Sequence, residues 1–339
     1  MSTDAVAVAA SDWDMVLARI ERRDAYLLKG WLDACAIIEH GVPVMLHVHD
    51  AGGDVVLPML LRDIPGADGC RDAVTPYGYG GPIASGTHPP VEAFHAAALQ
   101  WMRDQRIVSL FVRFHPLYQN APLALPGTDV VQLAGTAGWN LAPGRDLEAA
   151  MHQRHRRLVR KARREGVEVR VEVVPAAASL DAFRALYDET MHRQQAADFY
   201  FFPDEYWQTL EASLGESLLL VRATIDDEPA AELLMVATHP FLHYHLGASS
   251  EAGRQVGASN LCFLTAAMWG QQHGFDMLHL GGGVGGSADS LLDFKLRFDP
   301  NSEPLPLHIG KLIVDADAYR NLSGTTSTDG FFPAYRQRD

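Results

Sequence analysis

The sequence predicts an α/β fold of the mixed α+β kind, with helices packed on mixed sheets and two units following one another along the chain. Three observations carry this. A strand pair around Gly52-Gly53 and another around 226–229 both have the pattern of β-hairpins. Each hairpin is followed by an amphipathic helix and then a short apolar strand, which is a β-α-β arrangement. The two halves therefore share one plan of elements, although their residues do not align.

The elements come in this order. Helices are predicted over 16–22 and 26–40, and the first hairpin over 43–49 and 55–61. Residues 72–82, DAVTPYGYGGP, are rich in turn formers and aromatics. A helix over 91–103 after Pro89-Pro90 leads to strands at 108–114 and 130–133, which completes a first domain over 1–144. A second domain is expected over 145–320. It opens with a single long helix over 146–166, capped by Asp146 and ended by Gly166. A strand at 167–174, helices at 180–195 and 203–214, and strands at 218–225, 232–238 and 241–246 come next. A helix over 259–273, a strand at 277–280 and a short helix over 290–298 complete it. Residues 321–339 include SGTTSTDG and read as a flexible tail.

Composition narrows the function. With 339 residues, 47% hydrophobic and 21% charged, the chain is an ordinary globular protein long enough for two domains. Its net charge of −14 argues against nucleic acid or acidic membrane binding over the whole surface, so any such contact needs a local basic patch. Cys35, Cys70 and Cys262 are odd in number and scattered, which points to a reducing compartment, the cytoplasm, and to no disulfide framework. No Cys/His grouping has zinc-finger spacing, and no metal is expected. The first residues lack the basic and apolar regions of a secretory signal. No apolar run reaches the roughly 18 residues of a membrane span.

The most informative stretch is 277–298, MLHLGGGVGGSADSLLDFKLRF. Its glycines, including Gly282 and Gly283, suit a sharp turn or a close approach to a ligand. Lys295, read as exposed, lies just past the loop and could set a positive charge on an anionic group there; a mobile loop with a snorkelling lysine is the other reading. Arg254, Gly257 and Ser259 belong to RQVGAS, a glycine loop entering a helix. Such a loop can bind an anion through backbone N–H groups, or can be a plain helix entry capped by Ser259. Its spacing approaches the pyrophosphate loop of acyl-CoA N-acetyltransferases. Residues 154–164, RHRRLVRKARR, hold seven Lys/Arg, reversing the sign of the chain locally. Arg157, Arg160 and Lys161 are candidates for phosphate binding, against the alternative of a solvated helix. The strand FLHYHLG at 241–247 places Leu242, Tyr244 and Leu246 on one face and His243 and His245 on the other. Tyr244 can donate or orient, and His245 is a lower-ranked base; Asp276 and Asp289 rank lower still. Tyr77 and Tyr79 form an exposed aromatic loop able to bind a sugar, base or peptide stem, or else cover the first core.

These segments together resemble the Fem-like (FemABX) aminoacyltransferases and the wider tandem GNAT-like acyltransferases. The resemblance rests on TPYGYGGP at 75–82, RLVRKARREGVEV at 157–169, FRALYDETMHRQQAADFYFFPDEYW at 183–207, YHLGASS at 244–250, and GFDMLHLGGG with DSLLDFKLRF within 274–298. It covers most of 45–298. It implies two tandem GNAT-like acyl-CoA N-acyltransferase domains, an aminoacyl-tRNA or acyl-CoA co-substrate rather than a tightly bound cofactor, and an amine-bearing acceptor. It also implies that Tyr244 and Lys295 line the reaction site. The chain departs from the staphylococcal-type proteins in lacking their long helical hairpin, and it has His279 where that family commonly has an acid. The expected activity is N-acyl transfer, from tRNA or from CoA; a non-catalytic binding protein on the same fold is the rival.

Overall fold

The computed structural model describes residues 6–21, 23–174 and 180–337; Arg22, the end of the first expected helix, lies outside them. The chain forms two compact units: one runs to Leu133 and resumes at Pro306, and the other spans Ala134–Leu305.

The first unit contains β1 (Val6–Ala7), α1 (Trp13–Leu17), α2 (Lys29–Glu39), β2 (Val42–Asp50), β3 (Gly53–Asp63), β4 (Arg71–Val74), β5 (Ile83–Gly86), α3 (Val91–Asp104), β6 (Ile107–Arg113) and β7 (Asp129–Gln132). In the second lie β8 (Ala137–Asn140), α4 (Leu147–Ala150), α5 (Gln153–Arg164), β9 (Glu168–Val174), α6 (Asp181–Gln194), α7 (Asp204–Leu214), β10 (Leu218–Ile225), β11 (Glu228–Thr238), β12 (Phe241–Ser249), α8 (Glu251–Val256), α9 (Ala258–Gln272), β13 (Met277–Gly281) and α10 (Ser290–Leu296). β14 (His308–Ile313) and α11 (Ala316–Ser323) return to the first unit.

In the first sheet the strands run β1-β2-β3-β4-β6-β14-β7, with β5 also on β3. The predicted hairpin forms, with Asp50 opposite Gly53. β4 and β6 pair in parallel around α3, and Phe94, Ala98 and Met102 of that helix fill the core beneath them. The second sheet runs β8-β13-β12-β11-β10-β9. Its own hairpin turns on Asp226 and Asp227, both at positive φ, as a tight two-residue turn requires. α9 buries its apolar residues Leu261, Cys262, Leu264 and Ala267 with Val221, Leu233 and Leu242 of the sheet.

The domain boundaries differ from those expected at 144 and 320. β8 pairs with β13 in the second sheet, so the second unit starts at Ala134 and not at 145. β14 sits between β6 and β7 in the first sheet, and the chain beyond it stays with the first unit. The expected flexible tail is partly packed, because Phe332 stacks on the fully buried Tyr319 and Tyr335 meets it edge-on. The expected helix over 146–166 is broken at Met151–His152. Asp146 caps only the short α4, and the side chain of His152 starts α5 afresh.

Candidate active site

The site is built where two parallel strands part. β12 and β13 pair from Phe241↔Met277 to His243↔His279 and no further, although both strands continue. Carboxyl ends of parallel strands are where open α/β sheets bind their ligands.

The next residues of β12 carry a bulge. Leu234 of β11 faces Leu246 and Met235 faces Tyr244, which leaves His245 without an opposite residue. This corrects the alternation read from the sequence, because the extra residue returns Gly247, not Leu246, to the face of Tyr244. A Cβ on Gly247 would lie 2.6 Å from the Tyr244 hydroxyl. Tyr244 packs edge-on against Phe263 of α9, with ring centroids 4.9 Å apart. Burial pushes its phenol up to about 12, so at neutral pH it is a proton donor. His245 makes a 2.8 Å hydrogen bond through Nε2 with the hydroxyl of Tyr206 on α7. Desolvation pulls its imidazole down to about 3, which keeps it neutral and makes it a poor general base.

Lys295 comes to the same corner from α10. Its ammonium lies 5.6 Å from the centroid of the Tyr244 ring and donates to the Gly282 carbonyl at 2.7 Å. The residue pattern alone had it exposed, but only 7% of it is accessible, because the glycine loop folds back over it. Burial lowers its pKa to about 8, with the Asp289 carboxylate pulling the other way.

The loop is tightly built. Gly281, Gly285 and Gly286 have positive φ, and a Cβ on Gly283 would meet the Ser287 carbonyl at 2.3 Å. Asp289 ties its two ends together, accepting from Val284 N at 2.8 Å, Leu291 N at 3.0 Å and Leu292 N at 2.9 Å. The bonds to Leu292 and Val284 hold its carboxyl below the usual range. Asp289 is thus a cap and not a base, and Asp276 precedes β13, at the strand end away from Lys295.

The expected anion loop RQVGAS is different in kind. Arg254 and Gln255 lie in α8, which Ser250 caps. Gly257 makes the left-handed turn into α9, and its N–H is spent on the Gly253 carbonyl at 3.0 Å. Leu158 of α5 covers it, since a Cβ on Gly257 would lie 2.9 Å from the Leu158 Cβ. Ser259 lies within α9, half-buried, and does not cap it. Arg254 pairs with Glu251 of its own helix.

The basic helix divides its charges. Lys161 donates to the Gln255 carbonyl at 2.8 Å and thereby fastens α5 to α8. Arg163 pairs with Glu148 at 2.7 Å. Arg157 and Arg160 are exposed, and no carboxylate pairs with either among the described residues. The buried side of α5 is His155, Val159 and Ala162. His155 lies against Phe294 and Phe298, and burial lowers its pKa to about 4, with Arg297 adding to the effect.

In the first unit, Tyr77 and Tyr79 are half-buried. Tyr79 meets Tyr26 edge-on at 5.5 Å, and the Tyr77 carbonyl accepts from the Trp31 indole at 2.9 Å. Within the second unit, then, Lys295, Tyr244 and Gly282 converge, whereas Arg254, Gly257, Ser259 and Lys161 gather at the junction of α5, α8 and α9. Sequence reasoning missed Tyr206 because no local pattern announces a strand bulge 39 residues away.

The comparisons with known proteins support a transferase that moves acyl groups. Residues 149–295, all within the second unit, match the family model described as acetyltransferase (GNAT) domain. The whole chain is similar in fold to FemX, at 14% identity and a TM-score of 0.68, covering 94% of this chain and 99% of that one. It is also similar to the C-terminal domain (DUF2156) of a putative lysylphosphatidylglycerol synthetase from Agrobacterium fabrum, at 16% identity and a TM-score of 0.57, covering 91% and 93%. A tandem GNAT protein from the clavulanic acid biosynthesis pathway matches at 13% identity and a TM-score of 0.53, covering 92% and 98%. The mixed α/β architecture and the tandem GNAT-like fold expected from the sequence are therefore those of the molecule. No curated protein matches the chain in sequence. No helix among the described residues is long and apolar enough to cross a membrane.

Proposed function

We propose that the chain is a cytoplasmic N-acyltransferase that moves an aminoacyl group from aminoacyl-tRNA to a primary amine of a cell-wall precursor or small metabolite. The observation that carries the choice of donor is the covered turn before α9. An acyl-CoA donor needs free N–H groups at such a turn to hold its pyrophosphate. Here the N–H of Gly257 is used internally and Leu158 lies over it. Arg157 and Arg160 on the exposed face of α5 instead offer charge to a phosphate backbone.

In this reading the amine attacks the ester carbonyl, a C–N bond forms, and negative charge gathers on the carbonyl oxygen. The Lys295 ammonium stabilises that charge. The intermediate collapses with loss of the tRNA ribose oxygen. Tyr244 donates a proton to this leaving group and regains one from the attacking ammonium. Because both groups are fixed by packing, the enzyme acts mainly by positioning and by electrostatics.

The second reading is an acyl-CoA donor, favoured by the acetyltransferase description of the matched domain. The test is transfer of a labelled amino acid from charged tRNA to an amine, with and without ribonuclease. Transfer abolished by ribonuclease is the expected result. Transfer that survives it, or that runs on acetyl-CoA alone, overturns the tRNA donor.

A further inference from the structure

The segment FFPDEYW at 201–207 has no role in the reaction outlined above, yet one of its residues reaches the bulge. Tyr206 is fully buried on α7. Its ring stacks on Phe202 at 4.6 Å and meets Trp207 edge-on at 5.4 Å. Trp207 is held in turn by the Phe202 carbonyl, which accepts from its indole at 3.3 Å. An aromatic ring packed on both sides cannot swing, so the place of the Tyr206 hydroxyl is set by α7 and not by β12. That hydroxyl lies 2.8 Å from Nε2 of His245, the extra residue of the bulge.

A neutral imidazole has one donor nitrogen and one acceptor nitrogen, and the hydrogen bond made by one of them selects the role of the other. A tyrosine hydroxyl facing a neutral ring nitrogen is the better donor of the two.

We infer that Tyr206 is a positioning residue that fixes His245 in the Nδ1–H tautomer, turning the bulge residue into a hydrogen-bond donor and removing it as a base. The catalytic consequence rests on the acyltransferase reading; the tautomer does not. His245 then keeps its single proton on Nδ1 throughout the neutral range, because burial holds the ring uncharged. The bulge follows the end of the pairing of β12 with β13, and the hydrogen bond of His245 is made to α7, whereas the neighbouring Tyr244 packs on α9; the fixed ring therefore takes no part in proton transfer at Tyr244.

The experiment is nitrogen NMR of the full chain carrying 15N-labelled histidine. The His245 signals are assigned by their loss in His245→Gln, and the measurement needs no substrate. The expected spectrum has Nδ1 protonated and Nε2 bare in the unsubstituted protein, and both tautomers in exchange in Tyr206→Phe. An Nε2-protonated ring in the unsubstituted protein, or the same tautomer with and without the Tyr206 hydroxyl, overturns the inference. If Tyr206→Phe fails to fold, the spectrum of the unsubstituted protein decides alone: Nδ1–H upholds the assignment and Nε2–H ends it. Absence of acyl transfer in the tRNA and acetyl-CoA assays would sink the proposed reaction and leave this result standing.

Discussion

Lys295 shows how a few ångströms of cover change what a side chain can do. In solvent it would hold its proton far above neutral pH; under the glycine loop its pKa falls to about 8. The charged form is the one that steadies an oxyanion, so activity should be full below pH 8 and decline as pH rises through it. Lys295→Arg keeps the charge and should move that decline to higher pH. Lys295→Met should lower turnover by about 10²–10³-fold, the scale of one lost electrostatic donor. The same change removes a buried ammonium whose desolvation opposes folding, so Tm should not fall. A pH–rate profile of the three proteins with matched melting curves checks this. A Met variant of normal turnover removes Lys295 from the chemistry.

At the scale of elements, α5 has two jobs on two faces. His155, Val159, Ala162 and Lys161 attach it to the second unit, while Arg157 and Arg160 face outward. Replacing both arginines with Gln should weaken tRNA binding at low salt, with the difference shrinking as salt rises, since released counterions carry this kind of binding. Fluorescence anisotropy with labelled tRNA at two ionic strengths reads it. Equal affinity at low salt would make these arginines a solvated face only. Much at this scale was legible in the sequence. β10 forms over the 218–225 predicted for it, because the apolar run of 218–221 continues as an alternating Arg222–Ile225 stretch that ends at the Asp226-Asp227 turn. The expectation that Lys295 and Tyr244 lie together comes from the segments that resemble the Fem-like family, and the structure brings the two side chains together at the glycine loop. Other features had no local mark. β8 is four residues, AGWN, with a glycine inside, and exists only because β13 offers it an edge. The bulge at His245 depends on pairing with β11, and strict alternation assigns the wrong face to every residue beyond it. The seal over Gly257 depends on Leu158, almost a hundred residues away in sequence, so a loop that reads as an anion site is closed by a contact no motif encodes.

For the whole molecule, the feature that matters is β14. It forms ladders with β6 on one side and β7 on the other, so it is an interior strand of the first sheet. Removing residues 306–339 should therefore unfold the first unit and spare the second, whose residues all lie within 134–305. Limited proteolysis with mass spectrometry is the readout: a resistant fragment near 134–305 is expected, and protection of residues 42–132 in the truncated chain would contradict the prediction. The same arrangement also sets an order in time. On the ribosome the first unit emerges early but waits, its sheet open between β6 and β7, until everything up to β14 has been made. The second unit is complete before that, so the half of the chain translated first is the half that finishes last. During that interval the edges of β6 and β7 need protection from pairing with a neighbouring chain.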